Sequence, residues 1–104
     1  DLAIEGRAAA AVVLASRGYP ESYGRGYPID GIEEAVRRAG VLVFHAGTRS
    51  EAGKTLTDGG RVLAVVGMGG CLREALARAY EGVDRIDFEG KTYRTDIGKR
   101  GLST

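Results

Sequence analysis

Tryptophan is absent from this chain, and cysteine, histidine and methionine occur once each. A single thiol, Cys71, excludes an internal disulfide framework and points to a reducing compartment. One His and one Cys with no paired ligand spacing leave no zinc-type motif. Proline is confined to Pro20 and Pro28, so 17 glycines punctuate the rest. Charge of one sign is missing too. Fifteen Lys and Arg stand against 14 Asp and Glu, and the net charge of +1 exerts no general pull on nucleic acid or an anionic membrane. Any anion recognition must therefore be local. No apolar run approaches the roughly 20 residues of a membrane-crossing helix, and no leader pattern is visible. The expectation is a soluble, cytoplasmic protein.

What is there suits one domain. A chain of 104 residues buries roughly 60–68% of its unfolded surface without covalent staples. Because residue 1 is Asp rather than Met, the chain reads as a piece of a longer polypeptide. Its organising stretch runs from Thr57 to Tyr80. Val62–Val66 is a β-branched run bounded by glycines, as in a strand buried on both faces. Leu72, Ala75, Leu76, Ala79, Tyr80 and Val83 then recur at helical spacing, predicting a helix over about 71–84. Between them, Gly67-Met68-Gly69-Gly70 reads as a tight strand-to-helix turn.

The flanks are less regular. Ala8–Ala15 is an apolar run that favours a buried strand, and Val41–His45 reads as a second one. Asp30 with Glu33 matches a capping box for a short helix over Ile32–Ala39, with Gly40 just past its end. Thr48–Thr55 is polar and predicts a loop. Lys54–Thr57 is expected to pair with Arg61–Val66 through Asp58-Gly59-Gly60, and Ile86–Thr95 to fold back around Gly90-Lys91 with glycine first in the turn. Residues 96–104 read as a tail. About six mostly antiparallel strands and two helices in mixed order indicate an α+β domain.

Two nucleotide-binding patterns fail on spacing. Gly47–Thr55 ends in Gly-Lys-Thr, but five residues separate Gly47 from Gly53 where a phosphate loop has four. Gly67-Met68-Gly69 lacks the third glycine of a dinucleotide fingerprint, since Leu72 occupies its place. Cys71 fits a small buried apolar residue. His45, at a strand end, suits either a structural hydrogen bond or a site. Tyr19, Tyr23 and Tyr27 could form a contact surface or pack internally. Arg61 follows two glycines that allow a ligand close to the backbone. It is either an exposed cation or a two-pronged phosphate grip, the latter worth about 1.5–3 kcal/mol.

Six stretches in fixed order decide between these readings. They are Ala15-Ser16-Arg17-Gly18-Tyr19-Pro20, Gly31–Ala35, Val43–Thr48, Thr57–Leu63, Glu74-Ala75 with Ala79-Tyr80, and Tyr93–Gly98. Each is weak alone, but the ordered set, over about residues 8–98, resembles the C-terminal domain of the phosphoribosylamine–glycine ligases, purine-pathway enzymes with an ATP-grasp core. The second Arg-Gly-Tyr-Pro, Arg25–Pro28, departs from the family, which has a Lys- and Gly-containing segment there.

The resemblance implies a small β-rich, barrel-sandwich-hybrid-like fold. It also implies a single C-terminal domain, residues 1–104, of an ATP-dependent ligase joining glycine to 5-phosphoribosylamine. The partners implied are the N-terminal and ATP-grasp domains of the same polypeptide, which are absent here, and small-molecule substrates, with no nucleic acid or membrane. ATP and Mg²⁺ (or Mn²⁺) would serve the parent enzyme, with none bound by this segment, which alone should be inactive. Arg61 with Gly60 and Gly59 would face the ribonucleotide phosphate, and His45, Gly18, Tyr19 and Pro20 would line or brace the same wall. No catalytic residue and no metal ligand is implied. The rival reading is a non-catalytic module that docks through the Tyr/Pro loop, residues 17–28.

Overall fold

The computed structural model describes residues 8–94. Eight elements follow in order: β1 (Ala8–Ser16), α1 (Ile32–Val36), β2 (Val41–His45), β3 (Thr48–Glu51), β4 (Lys54–Thr57), β5 (Arg61–Gly69), α2 (Leu72–Arg85) and β6 (Lys91–Arg94). Thr95 and the expected tail lie outside the described residues. Four strands form an antiparallel sheet in the order β2-β5-β1-β6, and β3 pairs with β4 in a separate antiparallel ribbon. The class is the expected α+β, with six strands and two helices, and no closed barrel forms among the described residues.

The apolar pattern explains which strand sits at the centre. β5 carries the longest β-branched run and pairs on both sides, with β1 along its length and with β2 over Gly67–Leu63. Along β1, burial alternates strictly: Ala10, Val12, Leu14 and Ser16 are buried, and the residues between them are half-buried. Val12 and Leu14 meet Leu63, Val65, Ala79, Val83 and Ile86 in one core. Each fully buried Leu or Ile there contributes roughly 1.5–3 kcal/mol.

α2 lies close on β5 because both surfaces are stripped of bulk. Ala75, Ala79 and Gly82 are its buried residues along with Val83, and a Cβ on Gly67 would run into the backbone of Ala75 and Ala79. At the other end of α2, the Lys91 ammonium donates to the Val83 and Ile86 carbonyls at 2.7 and 2.6 Å, satisfying acceptors that the helix end leaves open.

Several expectations change. Lys54–Thr57 pairs with Thr48–Glu51 and not with β5. The supposed polar loop is a hairpin whose two-residue turn, Ala52-Gly53, has φ of +53° and +78°, the signature of a type I′ turn. β5 was unavailable to it, having both edges taken within the core sheet. Gly67-Met68-Gly69 is not a turn either but the end of β5, opposite Ala10, Ala9 and Ala8.

The short helix has no capping box. Gly31 is its N-cap, at φ +90° and with no side-chain cap bond, because the Asp30 backbone is engaged with Asp87 in both directions. The helix ends at Val36, before Gly40. β2 is an edge strand with Leu42 and Phe44 exposed, and Cys71 is exposed at the α2 N-cap. Ile86 and Phe88 sit in the core instead of pairing with β6, which joins β1. Gly90 is third, not first, in the Phe88–Lys91 turn.

Candidate functional site

Three chain segments end at the same margin of the sheet: the C-terminus of β1, the N-terminus of β5 and the C-terminus of β2. They carry most of the residues singled out from the sequence. Ser16, the last residue of β1, ties the first two together. Its amide donates to the Gly60 carbonyl at 2.7 Å and its hydroxyl to the Gly59 carbonyl at 3.0 Å. Gly60 is buried under the Tyr19 ring, so that a Cβ there would overlap the ring itself. This close approach of ring to backbone is the physical reason for glycine at position 60.

Gly18 places Tyr19. At φ +92° it closes a turn in which Glu21 and Ser22 donate to its carbonyl. Any side chain on Gly18 would strike the Ser22 carbonyl. Pro20 follows through a cis bond and is exposed. The atoms nearest a Cβ at Gly60 belong to the Tyr19 ring.

The third segment crosses behind the glycines. Ala46 and Gly47 amides both donate to the Val62 carbonyl, and the Asp58 amide donates to the Gly47 carbonyl at 2.8 Å. Gly47 passes so close to Gly59 and to the Arg61 carbonyl that a side chain is excluded. His45, at the end of β2, is exposed, with Nδ1 2.9 Å from the Thr48 hydroxyl.

Arg61 owes its direction to a β-bulge. The β1–β5 register pairs Leu14 with Leu63 but Ala15 with Arg61, leaving Val62 as the extra residue. Without the bulge Arg61 would share a face with Leu63 and Val65, toward the helices. With it, Arg61 shares the opposite face with Ala15, because directly paired residues project to the same side. Val62 and Leu63 are consequently both buried in the core, and Arg61 is exposed. Arg61 makes no ion pair among the described residues, and the Asp58 carboxylate is held by Arg49 at 2.9 Å. The margin therefore presents an exposed guanidinium with no ion-pair partner among the described residues, while His45, paired with Leu63, projects to the opposite face of the sheet. That arrangement suits an anion.

Sequence reasoning missed Ser16, Gly47, Thr48 and the Arg49–Asp58 pair. All but Arg49 lie inside the ordered motifs, but nothing in the sequence assigned them a part in the margin. The Tyr/Pro loop is not a free arm either. Gly26 and Ile29 amides donate to the Thr57 and Thr55 carbonyls, and the Tyr27 amide to the Thr57 hydroxyl. Tyr23 accepts from Arg25, which also lies 5.5 Å over its ring, and this hydroxyl raises the Arg25 pKa above its ordinary value. Lys54 of the phosphate-loop lookalike is far from Gly47, at the hairpin tip. There it borders an open cavity of about 750 Å³ with Asp30, Glu33 and Arg85, which holds none of the candidate residues.

Comparison with known proteins places the chain in a family. The family model of the phosphoribosylglycinamide synthetase C domain matches residues 9–100. A phosphoribosylamine–glycine ligase of Synechocystis is 52% identical over 94 residues, which is 90% of this chain and 22% of that protein. The human trifunctional purine biosynthetic protein adenosine-3 is 46% identical over 96% of the chain and 10% of its own length. The crystal structure of phosphoribosylamine–glycine ligase from Thermotoga maritima superposes with a TM-score of 0.73 at 44% identity, over 86% of this chain and 21% of that one. The chain thus spans a quarter or less of the relatives it matches.

Proposed function

The chain belongs to the phosphoribosylglycinamide synthetase C-domain family, and from that premise we propose that it is the C-terminal domain of a ligase. The ligase joins glycine to 5-phosphoribosylamine with cleavage of ATP to ADP and phosphate. In that reaction the terminal phosphoryl group of ATP passes to the glycine carboxylate. The amine of phosphoribosylamine then attacks the resulting acyl carbon, phosphate leaves and the amine loses a proton. Positioning and electrostatics carry most of the rate.

The part assigned to this segment is one wall of the site on the ribonucleotide side. Arg61 grips the substrate phosphate, Gly59 and Gly60 let it approach the backbone, and Tyr19, set by Gly18, holds Gly60 in place. His45 borders the same margin, and Pro20 acts only through Tyr19. What supports this most is the bulge at Val62, which turns an exposed Arg61 away from the core. ATP, Mg²⁺ (or Mn²⁺), the metal ligands and the acyl-transfer residues belong to the remainder of the polypeptide, and the cytoplasm is its compartment. Among the described residues no group of three or more His, Cys, Asp or Glu converges.

The test is ADP release by the full-length parent with glycine and phosphoribosylamine. Loss of a two-pronged charge-assisted bond worth about 1.5–3 kcal/mol predicts that Arg61→Ala raises the KM for phosphoribosylamine about 10- to 100-fold. The KM for glycine should not move, and the circular dichroism of the parent should be unchanged. An unaltered phosphoribosylamine KM removes Arg61 from the site, and a folded wild-type parent with no substrate-dependent ADP release removes the ligase reading.

A further inference from the structure

The two faces of the four-stranded sheet are treated differently. Both helices contribute to the core on one face, where Gly82 of α2 meets Val65, Val41 and Ala35 of α1. The other face carries Ala9, Ala11, Val13 and Ala15 from β1, Ala64, Val66 and Met68 from β5, and Leu42 and Phe44 from β2. These positions follow from the alternation along β1 and the register of its partners. Among the described residues, the elements outside the sheet that pack substantially against its strands are the two helices. Val66 is buried at its centre, but exposure rises toward the β2 edge, where Leu42 is 39% and Phe44 52% exposed.

We propose that this face, at its β2 edge, is the surface against which the remainder of the same polypeptide packs, with Phe44 and Leu42 as its apolar anchors. Two observations choose that occupant over any other. The relatives matched here are four or more times longer than the segment they share with this chain, so a large covalently attached partner is always at hand. Attachment supplies a high effective concentration, and a modest apolar patch then suffices to hold it. In addition, the bulge turns Arg61 onto this face and not the helix-covered one. A wall residue must look toward the rest of its site, so the body that supplies that site belongs on the face where Arg61 emerges. The inference rests in this respect on the ligase reading.

Cysteine accessibility in the native full-length parent tests it. In a Cys71→Ser background, Phe44→Cys and Arg73→Cys are labelled with a maleimide and the modified peptides are quantified by mass spectrometry. Arg73 is exposed on α2, the opposite layer, and serves as the open reference. The expected result is labelling at position 44 at least tenfold slower than at position 73, independent of protein concentration. Leu42→Cys is run in parallel, because truncating Phe44 also removes packing area from β2, and protection at either position counts. Equal rates at both positions and the reference overturn the proposal. Protection that vanishes on dilution also overturns it, by assigning the face to a second copy of the chain. ADP release measured on the same samples separates the two readings. Protection without ligase activity keeps the docking face and discards the ligase, and activity without protection does the reverse.

Discussion

At the scale of single residues, the margin is built by close approach of backbone to ring and backbone to backbone. The Tyr19 ring occupies the space a Cβ on Gly60 would need, and Gly47 passes Gly59 with no room for a side chain. Gly60→Ala should therefore displace the ring and destabilise the fold by roughly 1–3 kcal/mol, the usual cost of overpacking. The cost belongs to the pair. In a Tyr19→Ala background the same substitution should cost less, with a coupling of about 0.5–3 kcal/mol in a urea-unfolding double-mutant cycle. Strict additivity would mean that Gly60 is required for a reason other than the ring. The same logic explains why Arg61 and His45 remain exposed: a margin assembled from glycines leaves its few polar side chains nothing to pack against.

Among elements, two irregularities shape the outcome. One is the bulge at Val62, braced by the Ala46 and Gly47 amides on its carbonyl, which decides which face Arg61 occupies. The other is the β3–β4 hairpin, whose turn holds Ala52 at φ +53°. A non-glycine residue in that region carries a penalty of about 1–2 kcal/mol, smaller for Asn, whose side chain bonds locally. Ala52→Asn creates the preferred Asn-Gly pair of a type I′ turn and should raise stability by roughly 0.5–1 kcal/mol in urea unfolding. A loss of stability would count against the hairpin, and with it against the correction of the expected loop over Thr48–Thr55.

For the whole molecule, one sheet face is sealed by helices and the other is apolar with exposed Leu42 and Phe44. The candidate margin lies on the rim between this segment and whatever covers that face. It holds the exposed Arg61 guanidinium, and no group of three or more potential metal ligands converges among the described residues. The isolated 104-residue chain should accordingly release no ADP with glycine and phosphoribosylamine. Titration calorimetry with ATP should give no saturable binding. Micromolar ATP affinity would revive the phosphate-loop reading of Gly47–Thr55, which the hairpin geometry now opposes.

The amino-acid sequence by itself determined the central strand, the α2 helix and the α+β class, because periodicity and β-branched runs act locally. It also marked Gly59, Gly60 and Arg61, since glycines beside a lone cation form a local pattern, and the ordered motifs carried the family. Pairing partners were beyond it. Lys54–Thr57 has no local feature that chooses β3 over β5; the choice follows from β5 being occupied on both edges. The Ala52-Gly53 turn escaped notice because alanine rarely adopts positive φ, and Asp30 lost its capping role because its backbone was claimed by Asp87, distant in sequence. Only the tertiary structure decided the direction of Arg61. One extra residue in a strand reverses every side chain beyond it, and whether a strand bulges depends on the partners that grip its carbonyl.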